Sequence, residues 1–337
     1  MNILLTGGTG YIGSHTAVVL SQLGHQVVLY DNLSNSSNAV LKKLEQITGQ
    51  QIRFVSGDVR NTELLKNTLD THAIDAVIHF AGHKAVGESV KKPVDYYANN
   101  VQGTISLLQA MQLAQIKTLV FSSSATVYGE PQSLPMGENH PTSTTNPYGR
   151  SKLHIEEMLS DVAASATDWR IACLRYFNPV GAHESGYIGE KPNGVPNNLM
   201  PYIAQVASGH RAELNVFGGD YPTKDGTGVR DYIHVMDLAD GHAAALKFLS
   251  QTPGWHAINL GTGKGYSVLE MVQAFEDASG RQVPYKIIAR RAGDVAACYA
   301  DPKMAIERLN WRATRTLDDM CSSTWHFQQS EGSGLLS

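Results

Sequence analysis

The sequence predicts an α/β protein built on a doubly wound parallel sheet, and three observations carry that expectation. Short apolar runs of strand length alternate with longer amphipathic runs through the first half of the chain. The first apolar run passes directly into a glycine-rich turn and then a helical pattern. Several strand ends carry small or polar residues, as at Ser122-Ser123-Ser124, where an open parallel sheet places its ligands.

Residues 2–6 read as a buried strand, and Gly7-Gly8-Thr9-Gly10-Tyr11-Ile12-Gly13 leads into a helix that runs through Leu23. Glycine at 7, 10 and 13 permits a tight turn, close backbone approach and close helix packing. The helix N-terminus then offers N–H groups to a pyrophosphate. A second strand over 26–30 ends in Asp31. A carboxylate there accepts hydrogen bonds from both hydroxyls of an adenosine ribose and repels a 2′-phosphate, so NAD is expected rather than NADP. Strand, glycine turn, helix, strand and Asp together make the sheet Rossmann-type.

Further strands are expected at 52–56, 75–80, 117–122 and 169–174, with helical patterns between them and a long one over 94–114. After Asn178-Pro179 the alternation is lost: 181–230 is rich in Gly, Pro and Asn, with one helix near 201–209. Segment 231–262 recovers a strand, a helix over 235–250 and a strand over 257–260, and reads as returning to the first sheet. Helices follow near 267–279 and 302–309, and 331–337 reads as disordered. The expected organisation is an NAD-binding domain over 1–178, joined again by 231–262, and a smaller, mostly C-terminal α/β substrate domain within 179–337.

Composition narrows the function classes. Of 337 residues, 42% are apolar and 17% charged, the balance of a soluble globular chain. A net charge of −4 with no basic run gives no reason to expect nucleic acid or an anionic membrane as partner. No apolar run approaches the roughly 18 residues of a membrane span. Met1-Asn2 enters the first strand without a basic leader, and Cys173, Cys298 and Cys321 are too far apart for a disulfide framework or zinc motif. A cytoplasmic location follows. His79 and His83 straddle a strand–loop junction, so a zinc pair is not expected.

Tyr148-Gly149-Arg150-Ser151-Lys152 follows Pro147 and precedes an amphipathic run of Leu153, Ile155, Met158 and Leu159. Proline suits a first helical turn. Tyr148 and Lys152 then share one helix face, where an ammonium beside the phenol would lower a pKa of about 10 toward that of a usable base. By itself such a spacing is more often a solvated face.

With the glycine loop, Tyr148 and Lys152 resemble the extended short-chain dehydrogenase/reductase family, and within it the UDP-glucose 4-epimerases. The segments His79–Ser89, Ser122–Gly129, Leu174–Ala182, Pro196–Pro201 and Asp225–Val235 carry the closer likeness. It covers residues 1 to about 327. The resemblance implies an isomerase that inverts C4 of a UDP-hexose through a transient 4-keto sugar, with tightly held NAD and a homodimeric assembly. It assigns catalysis to Tyr148, Lys152 and Ser124. Dinucleotide contacts would come from Gly7, Gly10, Tyr11, Ile12, Gly13, Asp31, Asn32, Asn35, Asp58, Val59, Phe80, Ala81, Gly82, Lys84, Asn99 and Phe177, with Tyr148 and Lys152. The UDP-sugar would meet Asn178, Asn198, Leu199, Phe217, Arg230, Arg291, Asp294 and Cys298, besides Ser124 and Tyr148. Arginines at 230 and 291 suit a pyrophosphate. A small residue at Cys298 implies room for a 2-acetamido group, although a small buried apolar residue is the simpler reading. Sugar-nucleotide dehydratases of this scaffold carry an Asp-Glu pair where this chain has Ala125-Thr126, which argues against elimination. A non-catalytic NAD sensor would lack Tyr148 or Lys152, and a sugar 4-reductase would consume reduced cofactor.

Overall fold

A parallel sheet of seven strands organises the chain, whose computed structural model describes residues 1–192, 194–291 and 293–332. Its strands and helices begin with β1 (Asn2–Thr6), α1 (Tyr11–Gln22), β2 (Gln26–Asp31), α2 (Ala39–Thr48), β3 (Arg53–Ser56), α3 (Thr62–Thr71) and β4 (Ala76–His79). There follow α4 (Val86–Lys91), α5 (Pro93–Tyr96), a π-helical turn (Tyr97–Gln102), α6 (Gly103–Leu113), β5 (Thr118–Ser124), α7 (Pro147–Ser165) and β6 (Arg170–Tyr176). The second half comprises β7 (Asn178–Val180), α8 (Leu199–Ala207), β8 (Leu214–Phe217), β9 (Val229–His234), α9 (Val235–Leu249) and β10 (Gly254–Leu260). It closes with β11 (Gly265–Ser267), α10 (Val268–Ser279), β12 (Tyr285–Ile288), β13 (Ala297–Cys298), α11 (Lys303–Leu309) and α12 (Leu317–Gly332).

Strand order is β10-β6-β5-β4-β1-β2-β3, so the direction of winding reverses between β1 and β4 and opens a crevice at their carboxyl ends. Side-chain alternation sorts the apolar runs into two cores. Ile3 and Leu5 face a cluster with Leu20, Leu238 and Leu246 from α1 and α9. Leu4 faces the opposite cluster with Leu65, Leu107 and Ile155 from α3, α6 and α7. Both sheet faces are thus covered, which is why the strands read as continuous apolar runs.

Strands β5 and β6 each run two residues beyond the expected ends, because the ladder continues through Ser123↔Arg175 and Ser124↔Tyr176. The polar side chains there find partners, so the apolar run ends before the strand does. The long helix expected over 94–114 is interrupted by the π turn at Tyr97–Gln102. That wider turn carries the buried Asn100, whose amide accepts from His83 N at 2.8 Å and donates to Ser151 Oγ at 3.1 Å.

A second sheet in the order β11-β9-β13, with β7 on β9, and a β8–β12 pair pack with α8, α10 and α12 around Met200, Ile203, Tyr232, Phe275 and Met320. Helix α12 has no counterpart among the sequence expectations. Its apolar residues are diluted by Ser, His and Gln, but Met320, Cys321 and Phe327 are buried. The expected disorder from 331 is corrected for Glu331 and Gly332, which belong to α12, while 333–337 lie outside the described residues. Glu331 is held by Lys43 at 2.6 Å and by Lys191, which fixes the helix end.

Candidate active site

The crevice begins at the glycine turn. Gly7 has φ +68°, and a Cβ on it would lie 2.7 Å from Ala81 N; a Cβ on Gly13 would lie 2.5 Å from Gly7 O. Helix α1 starts at Gly10 without a side-chain cap, so its first-turn N–H groups, including those of Tyr11 and Ile12, meet no capping oxygen. A backbone cradle that only glycine permits, opening on free donors, fits a dinucleotide pyrophosphate. Gly7→Ala is expected to lose bound NAD and to cost about 1–3 kcal/mol of backbone strain. The ratio of 260 to 280 nm absorbance and the Tm check both.

Asp31 ends β2 beside this turn, its carboxylate accepting from Thr9 N at 3.2 Å and Leu33 N at 2.9 Å. Asn35 is exposed on the following loop. Asn32 donates to Asp58 at 3.4 Å, and Arg60 pairs with the same carboxylate, holding its pKa down at about 2. Val59 is buried, Phe80 packs on the His242 ring at 4.8 Å, and Asn99 donates to Asn100 at 3.0 Å. The Tyr11 hydroxyl donates to Gly181 O at 2.7 Å, and Lys84 Nζ lies 5.9 Å from the Tyr11 ring centroid. Asn32 and Asn35 follow β2, Asp58 and Val59 follow β3, Phe80 and Lys84 follow β4, and Asn99 lies on the π turn. His79 is turned inward instead, with both ring nitrogens bonded, to Thr6 Oγ1 at 2.6 Å and Thr104 Oγ1 at 3.0 Å.

Helix α7 brings Tyr148 to the end of β5. Asn146 caps it through Gly149 N at 2.9 Å, and Pro147 opens its first turn. A Cβ on Gly149 would come within 2.9 Å of Thr126 O, so that turn sits against the one following Ser124. Ser124 lies beside the Tyr148 phenol and favours its ionised form. Lys152, one turn on, also has a partner on β5. Lys152 Nζ donates to Ser122 O at 2.6 Å and lies 4.7 Å from the Phe121 ring centroid. The buried ammonium requires a close acceptor, and the strand carbonyl supplies it. Burial lowers the Lys152 pKa to about 8. Burial also raises Tyr148 above its ordinary value, opposed by Ser124 and the charge of Lys84. The charge of Lys84 thus favours the Tyr148 phenolate. Near Lys152, a Cβ on Gly82 would meet Nζ at 3.7 Å.

Of the expected UDP-sugar residues, Asn178, Arg230 and Cys298 lie on the second sheet, Phe217 ends β8, and Arg291 and Asp294 follow β12. Asn178 starts β7 beside the buried Phe177, which shares a cluster with Ala125, Met136 and Cys298. Cys298 pairs with Arg230 in register, and its Sγ lies 3.7 Å from Met136 Sδ. Arg230 Nη1 donates to Val229 O at 2.8 Å. Arg291 pairs with Asp294 at 3.1 Å and lies 5.3 Å from the Phe217 ring centroid. Asn198 and Leu199 begin α8.

The sequence reading passed over a buried network beneath the site. Glu156 lies one turn beyond Lys152 and accepts from Ser123 and from Arg175 Nη2 at 2.6 Å. Arg175 also donates to the Tyr128 hydroxyl at 3.0 Å, and Tyr128 donates to Asn259 at 2.6 Å. Three successive serines of β5 therefore have separate duties: Ser122 receives Lys152, Ser123 binds Glu156, and Ser124 faces the crevice. The spacing 148, 152 and 156 was the available signal. Glu190, discussed below, left none.

The family model described as GDP-mannose 4,6 dehydratase matches residues 4–324. A UDP-glucose 4-epimerase of Mus musculus is 56% identical over 340 residues, covering 99% of this chain and 98% of that protein. One from Bacillus subtilis is 55% identical, covering 100% and 99%. Among solved structures, the UDP-glucose 4-epimerase of Stenotrophomonas maltophila with bound NAD and formylated UDP-arabinopyranose superposes with a TM-score of 0.97 at 52% identity, covering 99% of both chains. That of Bifidobacterium longum in complex with NAD+ and UDP gives 0.96 at 51% identity, covering 99% and 100%. On a likeness of this extent, the chain belongs to the UDP-glucose 4-epimerase family.

Proposed function

We propose that Tyr148, Ser124 and Lys152 carry the chemistry of an NAD-dependent, redox-neutral inversion at C4 of a UDP-hexose. The chain is an isomerase of this class, with UDP-galactose and UDP-glucose as its substrate pair. The observation that carries the residue assignment is the packing of the first turn of α7, which bears Tyr148, against the turn after Ser124, over a crevice that fits a dinucleotide. NAD+, when bound, would supply the acceptor and donor for the C4 hydride, and its positive ring would favour the phenolate.

Tyr148 removes the proton of the 4-hydroxyl, and Ser124 shares the hydrogen bond to that oxygen. Lys152 holds the carbonyl of Ser122 and so the end of β5, with its charge beneath the reacting centre. After the 4-keto sugar turns over, hydride returns to the opposite face of C4 and Tyr148 gives the proton back to the 4-oxygen. Arg230, Arg291 and Asp294 hold the UDP, so that the sugar itself stays loosely bound and free to turn. Elimination needs an acid at the position of Ala125-Thr126. Ala125 has none, and the Thr126 hydroxyl donates to Ser124 Oγ at 3.0 Å. Incubation with UDP-galactose and no added reductant is expected to give UDP-glucose without net NADH. A 4-keto-6-deoxy product would indicate dehydration, and an inert protein a sensor.

UDP-N-acetylhexosamines belong to the same proposal, supported by the small Cys298 side chain. Cys298→Tyr is expected to abolish turnover of UDP-N-acetylglucosamine and spare UDP-galactose; equal loss on both would refute it.

A homodimer is proposed from the exposed apolar side chains of α4 and α5, with Val90 62% and Val94 75% exposed. Light scattering should give twice the chain mass for the native protein and the chain mass after Val90→Glu and Val94→Glu together. A cytoplasmic location is proposed from the three unpaired cysteines. Among the described residues no helix is long and apolar enough to cross a membrane.

A further inference from the structure

Glu190 lies on the segment between β7 and α8 and touches both halves of the crevice. One carboxylate oxygen accepts from Lys84 Nζ at 2.8 Å and from Asn198 Nδ2 at 2.6 Å. The other oxygen is buried and makes no hydrogen bond among the described residues, and the side chain is only 11% exposed. Lys84 belongs to the loop after β4, on the dinucleotide side. Asn198 precedes α8, on the UDP side.

Asn198 occupies the N-cap of α8, a position its residue type favours, yet its side chain makes no capping bond. Pro201 has no N–H, so Met200 is the donor within reach of such a cap. Glu190 draws the Asn198 amide away from that donor and leaves the first turn of this helix open to an anion. The segment bearing Glu190 is itself fixed. A Cβ on Gly189 would come within 2.5 Å of the Phe327 ring, and Lys191 bonds Glu331 of α12. A carboxylate held at this point repels a phosphate unless its charge is balanced, and Lys84 is the cation that balances it.

We propose that Glu190 is a positioning residue that couples the two halves of the site, so that Lys84 sets the affinity of the UDP side without touching the UDP. The proposal rests on the UDP-sugar reading above. Loss of Lys84 leaves Glu190 as an unbalanced anion beside the helix N-terminus; loss of Glu190 as well removes the route by which Lys84 acts.

Calorimetric titration of UDP into protein saturated with NAD tests the coupling, using wild type, Lys84→Met, Glu190→Ala and the double variant. Lys84→Met alone is expected to weaken UDP about tenfold, and the double variant to bind within about twofold of Glu190→Ala. Losses that multiply, or a Lys84→Met protein with unchanged affinity, would overturn the coupling and leave the UDP site standing. A wild-type protein that binds no UDP would overturn the site reading and the coupling with it. Glu190→Gln keeps the acceptor for Asn198 without the charge and carries the same comparison should Glu190→Ala fail to fold. A role in folding alone lowers the Tm and leaves every UDP affinity unchanged.

Discussion

Tyr148→Phe is expected to lower kcat by about 10²–10⁴-fold while NAD and UDP remain bound. The phenol hydroxyl is the group on which Ser124 acts, and the ring fills nearly the same volume without it. Removing the hydroxyl takes away the proton acceptor and nothing that holds either ligand. A kcat loss with little change in UDP affinity is therefore the signature. Because burial raises Tyr148 above its ordinary pKa, the residue requires added positive charge before it can act as a base. Lys84 contributes in the structure, and the positive ring of NAD+ would add to it when bound. Turnover close to wild type in the phenylalanine variant would remove Tyr148 from the mechanism.

The largest effect on stability is expected at Glu156. Its carboxylate is 2% exposed and Arg175 is 5% exposed, and the two are joined by hydrogen bonds from both Nε and Nη2. Glu156→Gln keeps the shape and leaves the Arg175 charge uncompensated in the interior, at a cost of about 3–5 kcal/mol. The urea midpoint should fall accordingly. Removing both charges, as Glu156→Leu with Arg175→Met, should recover much of the loss, since the cost lies in an unpaired buried charge. An unchanged midpoint for Glu156→Gln would mean that water reaches this network.

The legible parts of the molecule were those written in periodicity and in backbone demands. Gly7 and Gly13 announce a close approach because no other residue fits there, and Asp31 marks a strand end that the sheet indeed places beside the glycine turn. Alternating apolar runs announced strand and helix, but not where a ladder continues through polar residues, as β5 does to Ser124. The π turn at Tyr97–Gln102 was hidden because one extra residue in a helical turn leaves the apolar pattern almost unchanged. Helix α12 was hidden by a diluted apolar face. Proximity on a helix was legible as the shared face of Tyr148 and Lys152, but the Ser122 carbonyl that Lys152 also binds was not. Contacts distant in sequence left no trace at all. Lys84 and Glu190 stand 106 positions apart and meet only because the crevice brings β4 and the second sheet together.

Deuterium at C4 tests the central claim most directly. UDP-galactose labelled there, incubated with the NAD-loaded protein in ordinary water, should yield UDP-glucose with the label retained at C4. Loss of the label to solvent during turnover would contradict a hydride that leaves the sugar and returns to it.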